Sequence, residues 1–313
     1  MTQIDTPPPA VISYGTQPAP WGKKFQIWWR GIAWRRAAAV ARSVLFHLLM
    51  LAIALAFLTP FFWLVCASLK YPQDFFNYTF LPWSEPEKWT ISNYVWLFTR
   101  EPFLRWMFNS LFLAATHTTL VVALSSLGGF ALAKYKFPGR RVLMVIMLAT
   151  MMLPAQVLLP SSYELMFRIG WIDSYAAIVV PSAVSVFGMF LFMQAMRGVP
   201  DELLQAGRVD GCSELRLWWE IALPVIRPMI GAYTLLSFMG SWNSFVWPQI
   251  VLQNQDHFTL PIAMTNMIGL PEYEAPLGGI MAGTLLSILP IAILFFILQK
   301  DFIAGLTSGA VKG

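Results

Sequence analysis

Long apolar runs separated by short polar breaks set the pattern of this chain. Runs at about 44–69, 106–133, 142–165, 175–196, 225–251 and 277–299 are each long enough to cross a bilayer core, which takes about 20 residues of helix. The pattern predicts an all-α integral membrane protein with six transmembrane helices. Residues 43–300 are read as one transmembrane domain. A basic, disordered segment at 1–42 precedes it, and a short tail at 301–313 follows.

The break at 200–228 is the most structured of the polar ones. It reads PDELLQAGRVDGCSELRLWWEIALPVIRP. Asp201 is placed to cap a helix running to about Val209. Asp210 and Gly211 then supply a turn in which glycine takes positive φ. Ser213 caps a second helix, and Glu214 suits its first turn. Pro224 opens the next apolar run. A chain that only had to recross the lipid could do so with a few loop residues, so this helix–turn–helix predicts a docking surface within residues 200–224.

Charge then gives an orientation. Of the 21 Lys and Arg residues, 16 fall in alternate polar segments: 23–42, 134–141, 197–227 and the end of the chain. The intervening segments hold Lys70, Lys88, Arg100, Arg105 and Arg168. The positive-inside rule predicts that both termini and the 200–224 loop are cytoplasmic. The net charge of +5 follows from this topology and from contact with anionic lipid, and calls for no nucleic acid. Charged residues are only 12% of the chain and hydrophobic residues 57%, a composition that excludes an ordinary soluble domain.

The loop spacing resembles the EAA loop of binding-protein-dependent ABC importer permeases. The matching positions are Gln205-Ala206-Gly207, Asp210-Gly211 and Ile221-Ala222-Leu223-Pro224. Other pieces resemble the carbohydrate branch, and within it the maltose-type second permease. They are Asn109-Ser110, Ala131-Leu132-Ala133-Lys134 with Phe137-Pro138-Gly139-Arg140, Met152-Leu153-Pro154, Ser241-Trp242-Asn243, and the ending at 305–313. The resemblance covers residues 43–313. It implies a MetI-like permease fold with a cytoplasmic coupling helix, in the bacterial inner membrane. It further implies a second, homologous permease as heterodimer partner, two ABC ATPase subunits, an extracytoplasmic solute-binding protein and a carbohydrate substrate. Another solute, such as glycerol phosphate, is the alternative within the family.

Under this resemblance Glu202, Gln205, Ala206, Gly207, Asp210, Gly211, Leu223 and Pro224 are the ATPase-coupling residues. Leu203, Leu204 and Ala206 would offer apolar contact to the ATPase. One departure stands out. The family's Glu is Gln205 here, and its second Ala is Gly207. Glu202 lies three residues before Gln205 on the same helical face and could carry the missing charge. Ser241, Trp242 and Asn243 either line the translocation path or serve as hydrogen-bonding glue between helices.

The residues hold no catalytic constellation of their own. There is no P-loop, and no His/Cys cluster at metal-ligand spacing. ATP and Mg would therefore be bound by a partner ATPase, with no cofactor in this chain. The spans carry almost no acid or base, which argues against an ion-coupled secondary carrier. Cys66 and Cys212 fall near opposite membrane faces and are expected to be free thiols.

Overall fold

The computed structural model describes the backbone of residues 21–270 and 273–307. The chain divides into two compact units, the first ending at Pro60 and the second beginning at Phe61. Helix α1, Trp21–Ser68, contains one proline, Pro60. Its first part was expected to belong to a disordered 1–42 segment, and residues 21–42 are helical instead. The run Ala37-Ala38-Ala39-Val40-Ala41 with its flanking arginines has strong helix propensity and no proline to stop it. The rest of that expectation, residues 1–20, lies outside the described residues. The stretch Ala39–Ser68 is long and apolar enough to cross a membrane. Its side chains up to Pro60 are exposed all round, as suits a helix meant for lipid.

In the second unit, α3 (Phe103–Lys134) is the central post. Phe103, Trp106, Ser110, Ala114, Thr118, Val121, Ser125 and Gly129 recur at three- and four-residue steps and form one buried face. Against it pack α7 (Val186–Arg197) and α11 (Arg227–Trp242), and α14 (Leu277–Thr307) packs on α11. Three clusters result. One gathers Trp106, Phe238, Trp242, Leu260 and Ile280. A second gathers Phe192, Met196, Leu204, Leu217 and Tyr233. The third gathers Leu113, Met166, Ile178, Val251 and Ile262. Large apolar side chains such as Phe108, Val142, Ile146, Ile293 and Phe296 remain exposed, which marks surfaces for lipid or protein.

The six-helix expectation is met only in part. Among the described residues three helices are long and apolar enough to span: Ala39–Ser68, Phe103–Lys134 and Leu277–Gly305. The count reaches five if each of two bent pairs is one span. One pair is Arg140–Thr150 with Ala155–Arg168, bent by 90°; the other is Glu214–Val225 with Arg227–Val251, bent by 88°. The run at 175–196 is split into Ala176–Val179 and Val186–Arg197. Proline explains the breaks, since it removes a backbone donor and clashes with the preceding turn. Pro154 and Pro181 sit in two of them, and Pro224 and Pro228 flank the third. Pro290, by contrast, is held inside the unbroken α14. The tail expected from 301 onwards is still helix to Thr307, with Asp301 3.7 Å from Arg227. Residues 308–313 lie outside the described residues.

The two ends of α3 gather different parts of the unit. At its start, Trp106 Nε1 donates to Gln255 O at 3.1 Å, and Asn109 Nδ2 to Asp256 O and Phe258 O at 2.9 and 3.0 Å. Arg105 pairs with Asp256 at 2.7 Å. At its finish, Lys134 and Tyr135 meet residues 199–214. Near the first end Lys70 is buried, with Nζ donating to the carbonyls of Tyr78, Phe75 and Thr79. Burial pushes its amine below the ordinary lysine range.

Candidate coupling loop and cavity

Helix α8, Asp201–Val209, forms where expected, but Asp201 does not cap it. Pro200 holds the cap position with extended backbone and no side-chain bond. Asp201 is the first helical residue, and its carboxylate takes a hydrogen bond from Lys134 Nζ at 2.6 Å. Lys134 also donates to Val199 O at 2.5 Å. Its side chain is 7% exposed, whereas that of Asp201 is 71% exposed. The lysine's hydrogen bond and charge hold the Asp201 carboxyl below the usual carboxylate range, so the pair is intact at neutral pH.

The turn follows the expected pattern. Gly211 has φ +81°, a conformation that L side chains resist. The side chain of Ser213 then accepts from Arg216 N, capping the second helix. That helix, Glu214–Arg216, continues as a π-helical stretch, Leu217–Ala222, and a short helix, Leu223–Val225. Leu204 and Leu217 are fully buried between the two arms, each worth about 1.5–3 kcal/mol against exposure. Gly207 makes their approach feasible. A Cβ there would stand 2.6 Å from Leu217 Cδ2 and 2.7 Å from Ile221 Cδ1. Its smallness therefore serves this chain's own packing rather than a visiting backbone.

A second tie fixes the loop. Arg208 Nε and Nη2 reach the two carboxylate oxygens of Glu214 at 2.8 and 3.1 Å, and Tyr135 OH donates to Glu214 Oε2. Arg208 first, and Tyr135 second, hold the Glu214 carboxyl below its usual range. Burial, then the neighbouring Glu214, pushes the Tyr135 hydroxyl up. With Arg208 and Leu204 turned to these duties, the free face of α8 is Glu202, Leu203, Gln205, Ala206 and Val209. Val209 is 88% exposed and is an apolar position that sequence reasoning missed. Its place three residues past Ala206 on the same stripe was the available signal. Asp210 is exposed in the turn, Leu223 is half-buried, and Pro224 is exposed at the loop's end.

The three residues at 241–243 diverge. Trp242 is 3% exposed and stacks on Phe238 at 5.8 Å between ring centroids, inside the core. Asn243 is exposed and returns its amide to Met239 O at 2.8 Å. Ser241 lines a cavity of about 440 Å³. Ser110 and His117 on α3, Ser162 on α5 (Leu159–Arg168), Ser182, Ser244, Trp247 and Thr259 line it too. No single stretch of sequence announces these hydroxyls, because elements far apart in the chain supply them.

A clasp beside the cavity joins two loops. Asp173, at φ +58°, accepts from Gln253 N and Asn254 N at 2.9 and 3.0 Å. His257 Nδ1 lies 3.1 Å away, at ion-pair distance. Partial burial pushes the Asp173 carboxyl up, but the two backbone donors and His257 outweigh it and leave the pKa lowered. A lowered folded pKa means the clasp's contribution is complete above about pH 4, the unfolded value. It is lost as pH falls through the folded value. Asp173→Asn keeps the tolerance for positive φ and removes the charge, so amide exchange at 253–257 should quicken at neutral pH. Unchanged exchange would count against the clasp.

Such a bundle, with bent apolar helices around a structured surface loop, is the architecture of a transport permease. A family model described as binding-protein-dependent transport system inner membrane component matches residues 124–306. The chain belongs to that family, whose permease subunits are non-catalytic and work with a separate ATPase subunit. It is 36% identical over 267 residues to the arabinooligosaccharides transport system permease protein AraQ of Bacillus subtilis (strain 168), covering 85% of this chain and 94% of that one. The maltodextrin transport system permease protein MdxG of the same organism is 31% identical over 228 residues, covering 72% and 81%. A crystal structure of a bacterial ABC transporter involved in the import of the acidic polysaccharide alginate matches with a TM-score of 0.73 at 21% identity, over 83% of this chain and 96% of that one. At that identity it speaks for the fold alone.

Proposed function

We propose that this chain is the membrane-spanning permease of an ABC importer for sugars or oligosaccharides. The hairpin of α8 and its following arm, anchored to the end of α3, carries the reading. It is a rigid block whose outer stripe is left free, and the relatives named above are sugar permeases. In this reading six helices cross the membrane, with Arg140–Thr150 and Ala155–Arg168 forming one bent span and residues 176–197 another. Both termini are cytoplasmic. The basic segments 134–141 and 197–227 meet at one end of α3, which supports that orientation.

The partners are a second homologous permease, two ATPase subunits that hold ATP and Mg, and an extracytoplasmic binding protein that delivers the sugar. ATP-driven closure of the ATPases moves α8. The Lys134 and Tyr135 ties pass that motion to α3, giving alternating access by rigid-body rotation. Glu202 supplies the charge that Gln205 lacks. Glu202→Gln should lower sugar-stimulated ATP hydrolysis about two- to five-fold, the worth of a water-accessible ion pair; no change would remove Glu202 from this role. The overall reading is tested by co-purifying the tagged chain and reconstituting the complex. ATP-dependent sugar uptake with a second permease and an ATPase supports it. Uptake by this chain alone on an ion gradient would overturn it.

A further inference from the structure

The cavity of about 440 Å³ has the volume of a small-molecule site. Its lining has no Lys, Arg, Asp or Glu, so nothing in it compensates a charged ligand. It has hydroxyls instead, and several are idle. Ser110 Oγ accepts from Leu260 N at 2.7 Å and keeps its own proton to give. Thr259 is 6% exposed and its Oγ1 is buried without a hydrogen-bond partner. Thr259 stands at the cap of α13 (Leu260–Gly269), yet its side chain makes no capping bond. It therefore has no structural duty that accounts for the hydroxyl.

His117 gives a second orphan. Its Nε2 lies 3.2 Å from Ser182 O, which assigns the ring proton to Nε2 and leaves Nδ1 a bare acceptor. That Nδ1 is buried and unpaired. A buried polar atom without a partner is costly, so two such atoms on residues that line one cavity indicate a ligand rich in hydroxyls. The indole of Trp247, fixed by Nε1 to Ala177 O at 2.9 Å, adds an aromatic wall. A second cavity of about 470 Å³ shares His117, Ser182 and Ser241 and reaches Val121 further along α3 and Tyr233 on α11. The polar lining thus continues down the post towards the coupling loop.

We propose that the cavity bounded by His117, Thr259, Ser241 and Trp247 is a binding subsite for a neutral carbohydrate, carried by this permease itself. This rests on the sugar-importer reading and adds that this chain, and not its partner permease alone, holds the sugar during passage. His117 Nδ1 accepts a sugar hydroxyl, and the Thr259 and Ser110 hydroxyls donate to others.

The test uses the assembled importer in liposomes, with Cys66 and Cys212 replaced by alanine and Ser241→Cys as a reporter. Arabinotriose and maltotriose, delivered by the binding protein with ATP, are the probes. The expected result is slower thiol labelling at position 241 in the presence of the transported trisaccharide, and no protection by glycerol phosphate. Thr259→Val should weaken that protection about two- to ten-fold, the worth of one hydrogen bond, while membrane abundance is unchanged. Labelling indifferent to a trisaccharide that the same liposomes import would overturn the subsite. Protection that survives both Thr259→Val and His117→Phe would overturn it too. If the wild-type importer takes up no sugar at all, the broader reading has failed, and uptake shows this separately from labelling.

Discussion

Replacing Gly207 by valine is expected to stop ATP-coupled uptake while the protein still reaches the membrane. A Cβ at this position already falls inside the contact distance of Leu217 and Ile221. Both neighbours are held by the packing of the second arm, and Leu217 is fully buried. Neither can withdraw without opening the seam that joins the arms. Overpacking of this kind costs about 1–3 kcal/mol, which shifts a two-state docking equilibrium by roughly 5- to 150-fold. The strain starts in the loop and reaches α3, α7 and α11 only through the cluster that Leu217 shares with Phe130, Phe192 and Tyr233. Uptake and ATP hydrolysis measured on equal amounts of membrane-inserted protein would check this. Gly207→Val with normal uptake would mean that the arms need not stay closed. Gly207→Ala, with only the Cβ to place, should show an intermediate loss.

Replacing Lys134 by methionine should separate ATP hydrolysis from transport. The ammonium joins the last turn of α3 to Val199 O and Asp201, the residues that lead into α8. Its two bonds differ in weight. Asp201 is largely in water, so its ion pair with Lys134 is screened and worth little. The bond to the Val199 carbonyl is made by a side chain almost wholly inside the protein. A hydrogen bond to a charged group there contributes about 1.5–3 kcal/mol. Lys134→Met should therefore reduce sugar imported per ATP roughly ten- to hundred-fold, and Asp201→Asn far less. Equal losses in the two variants would show that the exposed ion pair, and not the carbonyl bond, is the link. Retained hydrolysis with lost uptake is the signature that distinguishes a coupling strut from a residue needed only for folding.

The loop shows how far local chemistry reaches. The helix over 201–209, the positive φ of Gly211 and the Ser213 cap were all legible, since each depends on a few adjacent residues. The role of Asp201 was not, because an N-terminal carboxylate can cap its own helix or bond elsewhere. Lys134, 67 residues away, decided the matter. Leu204 was read as a contact for a partner, and the folded chain buries it against its own second arm. Its identity says only that it will be covered, not by what. The same limit applies to Trp242, grouped with Ser241 and Asn243 by position and separated from them by the packing of α11.

The sequence by itself determined an all-helical membrane protein, the helix–turn–helix at 201–216 and, through the motifs it carries, the family. These follow from run length and short-range spacing, which are written along one dimension. Tertiary structure alone decided which apolar runs are continuous, where Pro154 and Pro181 break them, and why Pro290 does not. It also decided that Ser110, His117, Ser241 and Thr259 share one cavity. Their convergence depends on the approach of α3, α11 and the cap of α13, and no local pattern encodes a distance between elements that meet only when the core closes.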